Sequence, residues 1–185
     1  MITKKEARDN IRIIRNSMTE EECTKKGQRI SEIIAGIKEF KDAKFLYLYN
    51  PIRNEVPTVY LENQAFKQGK ITAYPKVMGE DMCFYRITDD KDVSYGYMNI
   101  REPIPDDSRL LDTDEGIIIM PGLAFDKKCN RAGYGKGFYD RFLENHKKLI
   151  KIGLAYEFQV VEALETDEWD IPLDYIVTEK GIYKG

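Results

Sequence analysis

Hydrophobic positions recur along the chain with two spacings, one typical of helices and one typical of buried strands. In 3–17 and 19–39 isoleucines recur three or four positions apart, which predicts two amphipathic helices. Thr3 and Thr19 are each followed three positions later by a glutamate, the arrangement of a helix-capping box. A third helix is predicted over 58–68, directly after a loop that contains two prolines.

Six short apolar runs predict buried strands, because they are rich in aromatic and aliphatic residues and are bounded by turn-forming residues. They are 44–49, 70–77, 82–87, 116–126, 149–157 and 174–183. A further helix is predicted over 137–148, and the polar segment 88–115 is predicted to be a long surface loop. Strands that alternate with helices indicate an α/β fold with a mainly parallel sheet, and we expect 1–185 to form a single domain.

Composition narrows the function classes. The 185 residues are 42% hydrophobic, which is enough for one sizeable core. Lysine and arginine (29) nearly balance aspartate and glutamate (32), which argues against a non-specific nucleic-acid-binding protein. No run of about 18 apolar residues could span a membrane and no apolar signal region is present, so we expect a cytoplasmic protein with no membrane partner. Three scattered cysteines and one histidine do not have the spacing of a zinc site.

The stretch RAGYGKGFYDR, from Arg131 to Arg141, places three glycines in five positions between a predicted strand and a predicted helix. Backbone N–H groups in such a turn can approach phosphate oxygens, and Arg131 and Lys136 can add positive charge. Asp140 would repel a phosphate unless a cation such as Mg²⁺ lay between them. The spacing differs from those of the common nucleotide-binding motifs, so a merely tight turn with packed aromatic residues is the alternative.

Several ordered motifs resemble those of the 5-formyltetrahydrofolate cyclo-ligase family, also called methenyltetrahydrofolate synthetases. They are KKEAR, NEVPT, YPKV, REPIP, PGLAFD followed by NRAGYGKGFYDRFL, and LDYIVTE, which together extend over nearly the whole chain. The resemblance implies a three-layer fold like that of sugar-phosphate isomerases and CoA transferases. It also implies ATP- and Mg²⁺-dependent conversion of 5-formyltetrahydrofolate to 5,10-methenyltetrahydrofolate, with release of ADP and phosphate. We expect a monomer whose partners are these small molecules.

The resemblance also implies a set of site residues. For ATP they are Lys4, Lys5, Glu6, Ala7, Arg8, Arg131, Ala132, Gly133, Tyr134, Gly135, Lys136, Gly137, Phe138 and Tyr139. For the folate they are Asn50, Glu55, Tyr134, Gly135, Lys136, Gly137 and Phe138. We expect Arg131, Lys136 and Tyr139 to be catalytic, and Asp140 and Asp174 to bind the magnesium.

Three further residues lie outside these sets. Trp169 and Tyr156 could pack in the core or line the pocket, and packing is the favoured interpretation for both. His146 is interpreted as a solvated residue at a helix end. Two other functions stay open: a sugar-phosphate isomerase-like enzyme that needs no ATP, and a non-catalytic protein that binds folate or nucleotide. The carboxylate pair and the basic N-terminal segment favour a metal–nucleotide complex over a sugar phosphate.

Overall fold

The computed structural model describes residues 1–96 and 100–185. Its helices are α1 (Lys4–Asn16), α2 (Glu20–Gly36), α3 (Lys38–Asp42), α4 (Val59–Lys67) and α5 (Phe138–Glu144). Its first six strands are β1 (Phe45–Tyr47), β2 (Ile71–Met78), β3 (Asp81–Arg86), β4 (Val93–Tyr95), β5 (Arg101–Pro103) and β6 (Ile117–Met120). The others are β7 (Ala124–Asp126), β8 (Arg131–Ala132), β9 (Ile150–Leu154), β10 (Val160–Val161), β11 (Tyr175–Thr178) and β12 (Gly181–Lys184).

A seven-stranded sheet in the order β12-β11-β9-β6-β1-β2-β3 forms the centre of the molecule. The five inner strands are parallel, and β12 and β3 are antiparallel edge strands. This confirms the α/β fold with a mainly parallel sheet. The predicted strand 174–183 is an antiparallel pair, because Glu179 and Lys180 form a turn within it.

Both faces of the sheet are buried, which explains the continuous apolar runs. Ile117 and Ile119 of β6 face the cluster formed with α2, α3 and α4, whereas Ile118 and Met120 face the cluster that includes Leu143 of α5. Successive side chains of a strand point to opposite faces, so a strand with helices on both sides carries no polar positions. The helices therefore lie on both faces of the sheet, as the three-layer prediction required.

The predicted strand 116–126 is wrong as a single element. β6 ends at Met120, and the chain turns at Pro121 and Gly122 before it enters β7 in another sheet. Proline lacks the N–H that would continue the ladder. A side chain at Gly122 would have its Cβ only 2.5 Å from the ring of Phe125, so glycine is needed where the chain turns back.

Other boundaries also differ from the predictions. The predicted helix 19–39 breaks at Ile37, whose backbone is extended between α2 and α3. The predicted helix 137–148 ends at Glu144. The predicted loop 88–115 contains β4 and β5, an antiparallel pair; its residues 97–99 lie outside the described part of the chain. Both predicted capping boxes are confirmed, at Thr3 and at Thr19.

A second, smaller sheet in the order β10-β7-β8 follows β6. Helix α1 packs on it through Ala7 and Ile11, which contact a cluster that includes Ala124, Ala132 and Leu164. The arrangement holds α1 beside the loop that follows β8. Within the described residues, no helix is both long and apolar enough to cross a membrane.

Candidate functional site

A cavity of about 650 Å³ opens beyond the end of β6, and we call it the loop cavity. Three pieces of chain line it: the first turns of α1, the glycine loop 133–137 with the start of α5, and the segment 167–171. Pro121, directly after β6, is also part of the lining. Because ligands of open α/β sheets bind beyond the carboxyl ends of parallel strands, this is the expected position for a site.

The glycine loop depends on its three glycines for two different reasons. Gly135 and Gly137 have φ angles of 85° and 67°, a left-handed conformation that costs glycine little. A Cβ at Gly133 would lie 2.5 Å from Nη1 of Arg131, so a side chain there would displace the guanidinium. The three glycines thus shape a backbone that lies open along the cavity. Tyr134 and Lys136 between them are exposed to solvent.

Positive charge converges on the cavity from both sides of the loop. Arg8 on α1 donates from Nε to the carbonyl oxygen of Gly133 at 2.7 Å, which ties the helix to the loop. Arg131 donates from Nη1 to the carbonyl oxygen of Pro121 at 3.3 Å, and its buried Nε has no hydrogen-bond partner. An unpaired buried N–H costs free energy, and an anionic oxygen that reached it would supply the missing partner.

Asp140 and Tyr139 lie next to Arg131 at the start of α5. The Asp140 carboxylate is 3.3 Å from Nη2 of Arg131, and its side chain is 33% exposed at the cavity. The guanidinium of Arg131 lies 5.5 Å from the centre of the Tyr139 ring. Burial raises the pKa of Tyr139, so its hydroxyl is a neutral donor near pH 7 rather than a base.

Glu55 is buried behind the glycine loop, not in it. Its Oε1 accepts a hydrogen bond of 2.6 Å from the hydroxyl of Tyr134, and its Oε2 accepts one of 2.9 Å from the backbone N–H of Ile52. Burial raises the pKa of Glu55, and these two hydrogen bonds oppose that rise. Burial also raises the pKa of Tyr134 to about 12, so its proton stays on the hydroxyl.

Arg15 completes this buried group, and the motif analysis missed it. Its side chain is 1% exposed, and its Nη2 donates to the Tyr134 hydroxyl at 2.8 Å. Nη1 is 3.9 Å from Oε1 of Glu55 and donates to the carbonyl oxygen of Gly122 at 3.2 Å. The signal lay in the spacing: Lys4, Arg8 and Arg15 are four and eleven positions apart, which at 100° per residue puts them on one stripe of α1.

The opposite end of α1 is tied to the segment 167–170. Lys4 Nζ donates to the carboxylate of Asp167 at 2.8 Å and to that of Asp170. Burial alone would lower the pKa of Lys4, but the hydrogen bonds to the two carboxylates outweigh it and raise the pKa. Trp169 between them is 75% exposed and lines the cavity, so its interpretation as a packing residue is wrong.

Some of the predicted site residues do not reach the loop cavity. Lys5 is exposed on another face of α1, and the carboxylate of Glu6 accepts from Thr3 in the capping box. Ala7 and Ala132 are buried in the core between α1 and the small sheet. Asn50 follows β1 and is not part of the lining. The residues that line it from the prediction are Lys4, Arg8, Arg131, Gly133, Tyr134, Gly135, Lys136, Gly137, Phe138, Tyr139 and Asp140.

Asp174 is not brought to Asp140. It precedes β11, and its Oδ2 accepts from the backbone N–H of Lys151 at 2.7 Å and lies 2.9 Å from the Lys151 ammonium. Lys151 is at the start of the parallel strand β9, so Lys151 and Asp174 lie at the amino ends of the parallel strands. Asp140 lines the cavity together with Pro121, which follows the carboxyl end of β6. The structure therefore separates the two carboxylates that were predicted to share a metal.

His146 is buried rather than solvated. Its Nε2 lies 2.7 Å from a carboxylate oxygen of Asp112, its Nδ1 lies 2.8 Å from the carbonyl oxygen of Phe142, and its ring stacks on that of Phe142. These contacts close the end of α5 against the segment before β6. Tyr156 is fully buried and donates to the carbonyl oxygen of Glu55 at 3.3 Å, as a packing residue would.

The loop cavity fits a magnesium ion that arrives with phosphates. In the described ranges 1–96 and 100–185, no three histidine, cysteine, aspartate or glutamate side chains gather in a way that could hold a metal ion. Mg²⁺ in phosphate sites, however, is commonly held by one or two carboxylates together with the phosphates and water. Asp140 supplies one such carboxylate at the cavity wall.

Comparison with known proteins gives one consistent result. The model of the 5-formyltetrahydrofolate cyclo-ligase family matches residues 1–179. A 5-formyltetrahydrofolate cyclo-ligase of Haemophilus influenzae is 34% identical over 176 residues, which cover 92% of this chain and 94% of the relative. One of Mycoplasma genitalium is 34% identical over 181 residues, covering 96% and 98%.

Solved structures of related proteins have the same fold. A 5,10-methenyltetrahydrofolate synthetase of Aquifex aeolicus superposes with a TM-score of 0.85 at 36% identity, covering 98% of this chain and 92% of that one. A 5,10-methenyltetrahydrofolate synthetase of Mycoplasma pneumoniae gives a TM-score of 0.73 at 26% identity, covering 95% and 98%. Both matches cover nearly the whole chain, so the likeness is one of the overall fold.

Proposed function

Because the chain belongs to the 5-formyltetrahydrofolate cyclo-ligase family and is therefore a ligase, we propose that it closes the ring of 5-formyltetrahydrofolate to give 5,10-methenyltetrahydrofolate in the loop cavity. We propose that ATP drives the reaction, with Mg²⁺, and that ADP and phosphate are released. One observation carries the proposal. Arg8 and Arg131 bring two positive charges to the glycine loop, whose backbone is open to the cavity. Tyr134 of the same loop donates a hydrogen bond to the buried carboxylate of Glu55.

The chemistry explains why ATP is needed. The formyl group on N5 is an amide, whose oxygen cannot leave as oxide. In the proposed reaction the formyl oxygen attacks the γ-phosphorus and ADP departs. N10 then attacks the formyl carbon, loses its proton, and the C–O bond breaks with release of phosphate. No protein nucleophile is required, so the protein contributes alignment and charge stabilisation.

Arg131 and Arg8 are proposed to hold the phosphates. The unpaired Nε of Arg131 supports a role for this guanidinium beside the γ-phosphate, whose charge would be shared among its oxygens in the transition state. The backbone N–H groups of the glycine loop add neutral donors, and Lys136 adds a mobile charge from the exposed side. Tyr139, whose pKa burial raises, would donate a hydrogen bond to a phosphate oxygen, and its ring lies 5.5 Å from the guanidinium of Arg131. α5, with only seven residues, adds little from its helix dipole.

Glu55 is proposed to bind the amino-pyrimidine part of the pterin, whose adjacent N–H donors match the two oxygens of a carboxylate. In the free protein those oxygens accept from Tyr134 and from the N–H of Ile52. The folate would take the place of the Tyr134 hydroxyl at Oε1. Tyr134 belongs to the glycine loop, so the exchange would bring the folate and the phosphates to one piece of chain. Asn50 stays a prediction for the folate site.

Asp140 is proposed to hold the magnesium. A bound Mg²⁺ would offset the negative charge of the phosphates next to this carboxylate. Arg131 keeps Asp140 in place through the 3.3 Å ion pair. The contacts of Asp174 with Lys151 at the other edge of the sheet give it a structural role, and we do not include it in the proposed metal site.

We further propose that 1–185 acts as one domain and as a monomer in the cytoplasm, with folate and nucleotide as its partners. The test of activity is spectroscopic, since methenyltetrahydrofolate absorbs in the near ultraviolet and 5-formyltetrahydrofolate does not. Purified protein should give this absorbance only with 5-formyltetrahydrofolate, ATP and Mg²⁺ together, and one ADP should form per product. Absence of the signal with all three present would refute the activity, and an equal signal with EDTA would refute the role of magnesium.

A further inference from the structure

Trp169 is the only tryptophan of the chain, and the structure leaves it 75% exposed at the rim of the loop cavity. Exposed apolar residues that are scattered singly need no special explanation. Trp169 differs because it faces a cavity that also contains Lys4, Arg8 and the glycine loop. A large, flat aromatic ring at the edge of a charged cavity has an unused face on which a second ring can stack.

Polar contacts fix the turn that carries Trp169. The backbone N–H of Asp167 donates to the Asp170 carboxylate at 2.6 Å, and the N–H of Asp170 donates to the carbonyl oxygen of Asp167 at 3.1 Å. Lys4 joins both carboxylates to α1. The position of the turn therefore does not depend on apolar packing of the tryptophan. A side chain on a fixed turn loses less entropy when it meets a ligand than one on a mobile loop.

Helix α1 separates the two ends of the site. Lys4 contacts the Trp169 turn, Arg8 contacts the glycine loop, and Arg15 contacts Glu55. Eleven residues of helix between the first and the last correspond to about 16 Å. If the pterin binds at Glu55 and the phosphates bind at Arg8, the remaining part of the nucleotide, its base, would lie at the Trp169 end.

The charge at the Trp169 end favours a neutral ring with an amino group. Asp167 and Asp170 lie on either side of the tryptophan, and the Asp167 side chain is 56% exposed. The carboxylates of a folate glutamate tail would be repelled there, whereas the amino group of adenine is a donor to carboxylate oxygens. We propose that Trp169 is the platform on which the adenine base of ATP stacks. The inference rests on the proposed use of ATP in the loop cavity.

The sole tryptophan makes binding directly observable. Titration of the whole protein with ADP should quench or shift the tryptophan emission, and adenosine should do the same at higher concentration. Inorganic triphosphate should leave the emission unchanged, because it has no ring to stack. If ADP binds, as measured by calorimetry, without any change in emission, the proposal is overturned.

Steady-state kinetics give the second test. When an aromatic side chain that stacks on a base is replaced by alanine, the affinity falls by roughly 5- to 100-fold. We expect Trp169→Ala to raise the KM for ATP by about tenfold and to leave the KM for 5-formyltetrahydrofolate unchanged, and Trp169→Phe to restore most of the loss. Phe66→Ala is the matched control, because Phe66 is 54% exposed on α4 and is not part of the lining.

The outcomes separate this inference from the proposed function. If the wild-type protein turns over with ATP but Trp169→Ala keeps the ATP KM, the activity stands and the stacking role is wrong. A raised KM for the folate alone would also overturn it, since the ring would then face the other substrate. If no turnover occurs but ADP changes the emission of the wild type, the proposed activity fails and the adenine platform stands.

Discussion

The two ends of helix α1 carry the same kind of charge in opposite surroundings. At the N-terminal end, the side chain of Lys4 is 15% exposed and pairs with carboxylates that themselves reach solvent. At the C-terminal end, Arg15 and Glu55 are 1% and 4% exposed and share the hydroxyl of Tyr134. The contacts of Lys4 are therefore open to solvent, whereas those of Arg15 with Glu55 and Tyr134 are closed to it.

The difference indicates how one helix can serve two substrates. A buried charge is tolerated only when its partners are in place, so the Arg15 end is held to one geometry. That suits the recognition of a defined ring system. The Lys4 end is held by its own hydrogen bonds but stays open to solvent, which suits a charged nucleotide. Between them, Arg8 fixes the glycine loop to the helix and so keeps the two ends at a constant distance.

Removal of the buried Arg15 cation should destabilise the protein, because Glu55 would lose its buried partner. Breaking one partner of a buried ion pair typically costs about 3 kcal/mol, so Arg15→Met should lower the free energy of unfolding by about that amount, measured by urea denaturation. Arg12→Met, one turn away and 44% exposed, is the control and should change it by less than about 0.5 kcal/mol. Arg15→Lys should recover part of the loss. Equal stability of both methionine variants would mean that the two ends do not differ.

Arg8→Ala should separate binding of the nucleotide from stability. Loss of a charged hydrogen-bond donor to a phosphate should raise the ATP KM by about tenfold or more, with a much smaller effect on the unfolding free energy than Arg15→Met. Arg12→Ala should leave the ATP KM unchanged, because Arg12 is not part of the cavity lining. An ATP KM that is the same in Arg8→Ala and wild type would remove Arg8 from the phosphate site.

Tyr134→Phe should shift a pH profile. In the proposed site, binding of the pterin requires ionised Glu55, so binding should be retained above the pKa of Glu55 and lost as the pH falls through it. Burial places that pKa above the ordinary 4.5, and the Tyr134 hydrogen bond opposes the rise. Removing the hydroxyl should therefore move the midpoint of 5-formyltetrahydrofolate binding to higher pH, measured by calorimetry without ATP.

The matched control for that shift is Tyr95→Phe, since Tyr95 is 67% exposed on β4 and is not part of the cavity lining. Its midpoint should equal that of the wild type. A midpoint that moves to lower pH in Tyr134→Phe would mean that the hydroxyl does not stabilise the charge on Glu55.

Local signals predicted most of the fold. The capping boxes at Thr3 and Thr19 depend on residues three positions apart, and both helices begin where they were expected. The apolar run before the glycine motif was correctly identified as strand, but its continuation past Pro121 was wrong. After Pro121 the chain enters a second sheet because β7 pairs there with β8 and β10. Such pairing partners are distant in sequence, so a local pattern cannot reveal them.

Local patterns predicted the site only in the glycine loop, whereas Lys4 and Arg8 were expected from the family resemblance. Most residues that line the cavity belong to one continuous stretch, from Arg131 to Asp140. Arg15 was missed because its burial depends on Tyr134, which is 119 positions away, and on Glu55, which pairs with that tyrosine across 79 positions. Trp169 was interpreted as a packing residue because aromatic residues usually are, and only the tertiary fold places it on a polar turn.

Transfer of the γ-phosphate to the formyl oxygen, the proposed chemical step in the loop cavity, can be tested by isotope labelling. 5-Formyltetrahydrofolate labelled with ¹⁸O in the formyl group should be converted with ATP and Mg²⁺ in unlabelled water, and the released phosphate analysed by mass spectrometry. Transfer to the formyl oxygen should place one ¹⁸O in each phosphate formed. Phosphate without the label, with the ¹⁸O released into water, would contradict it.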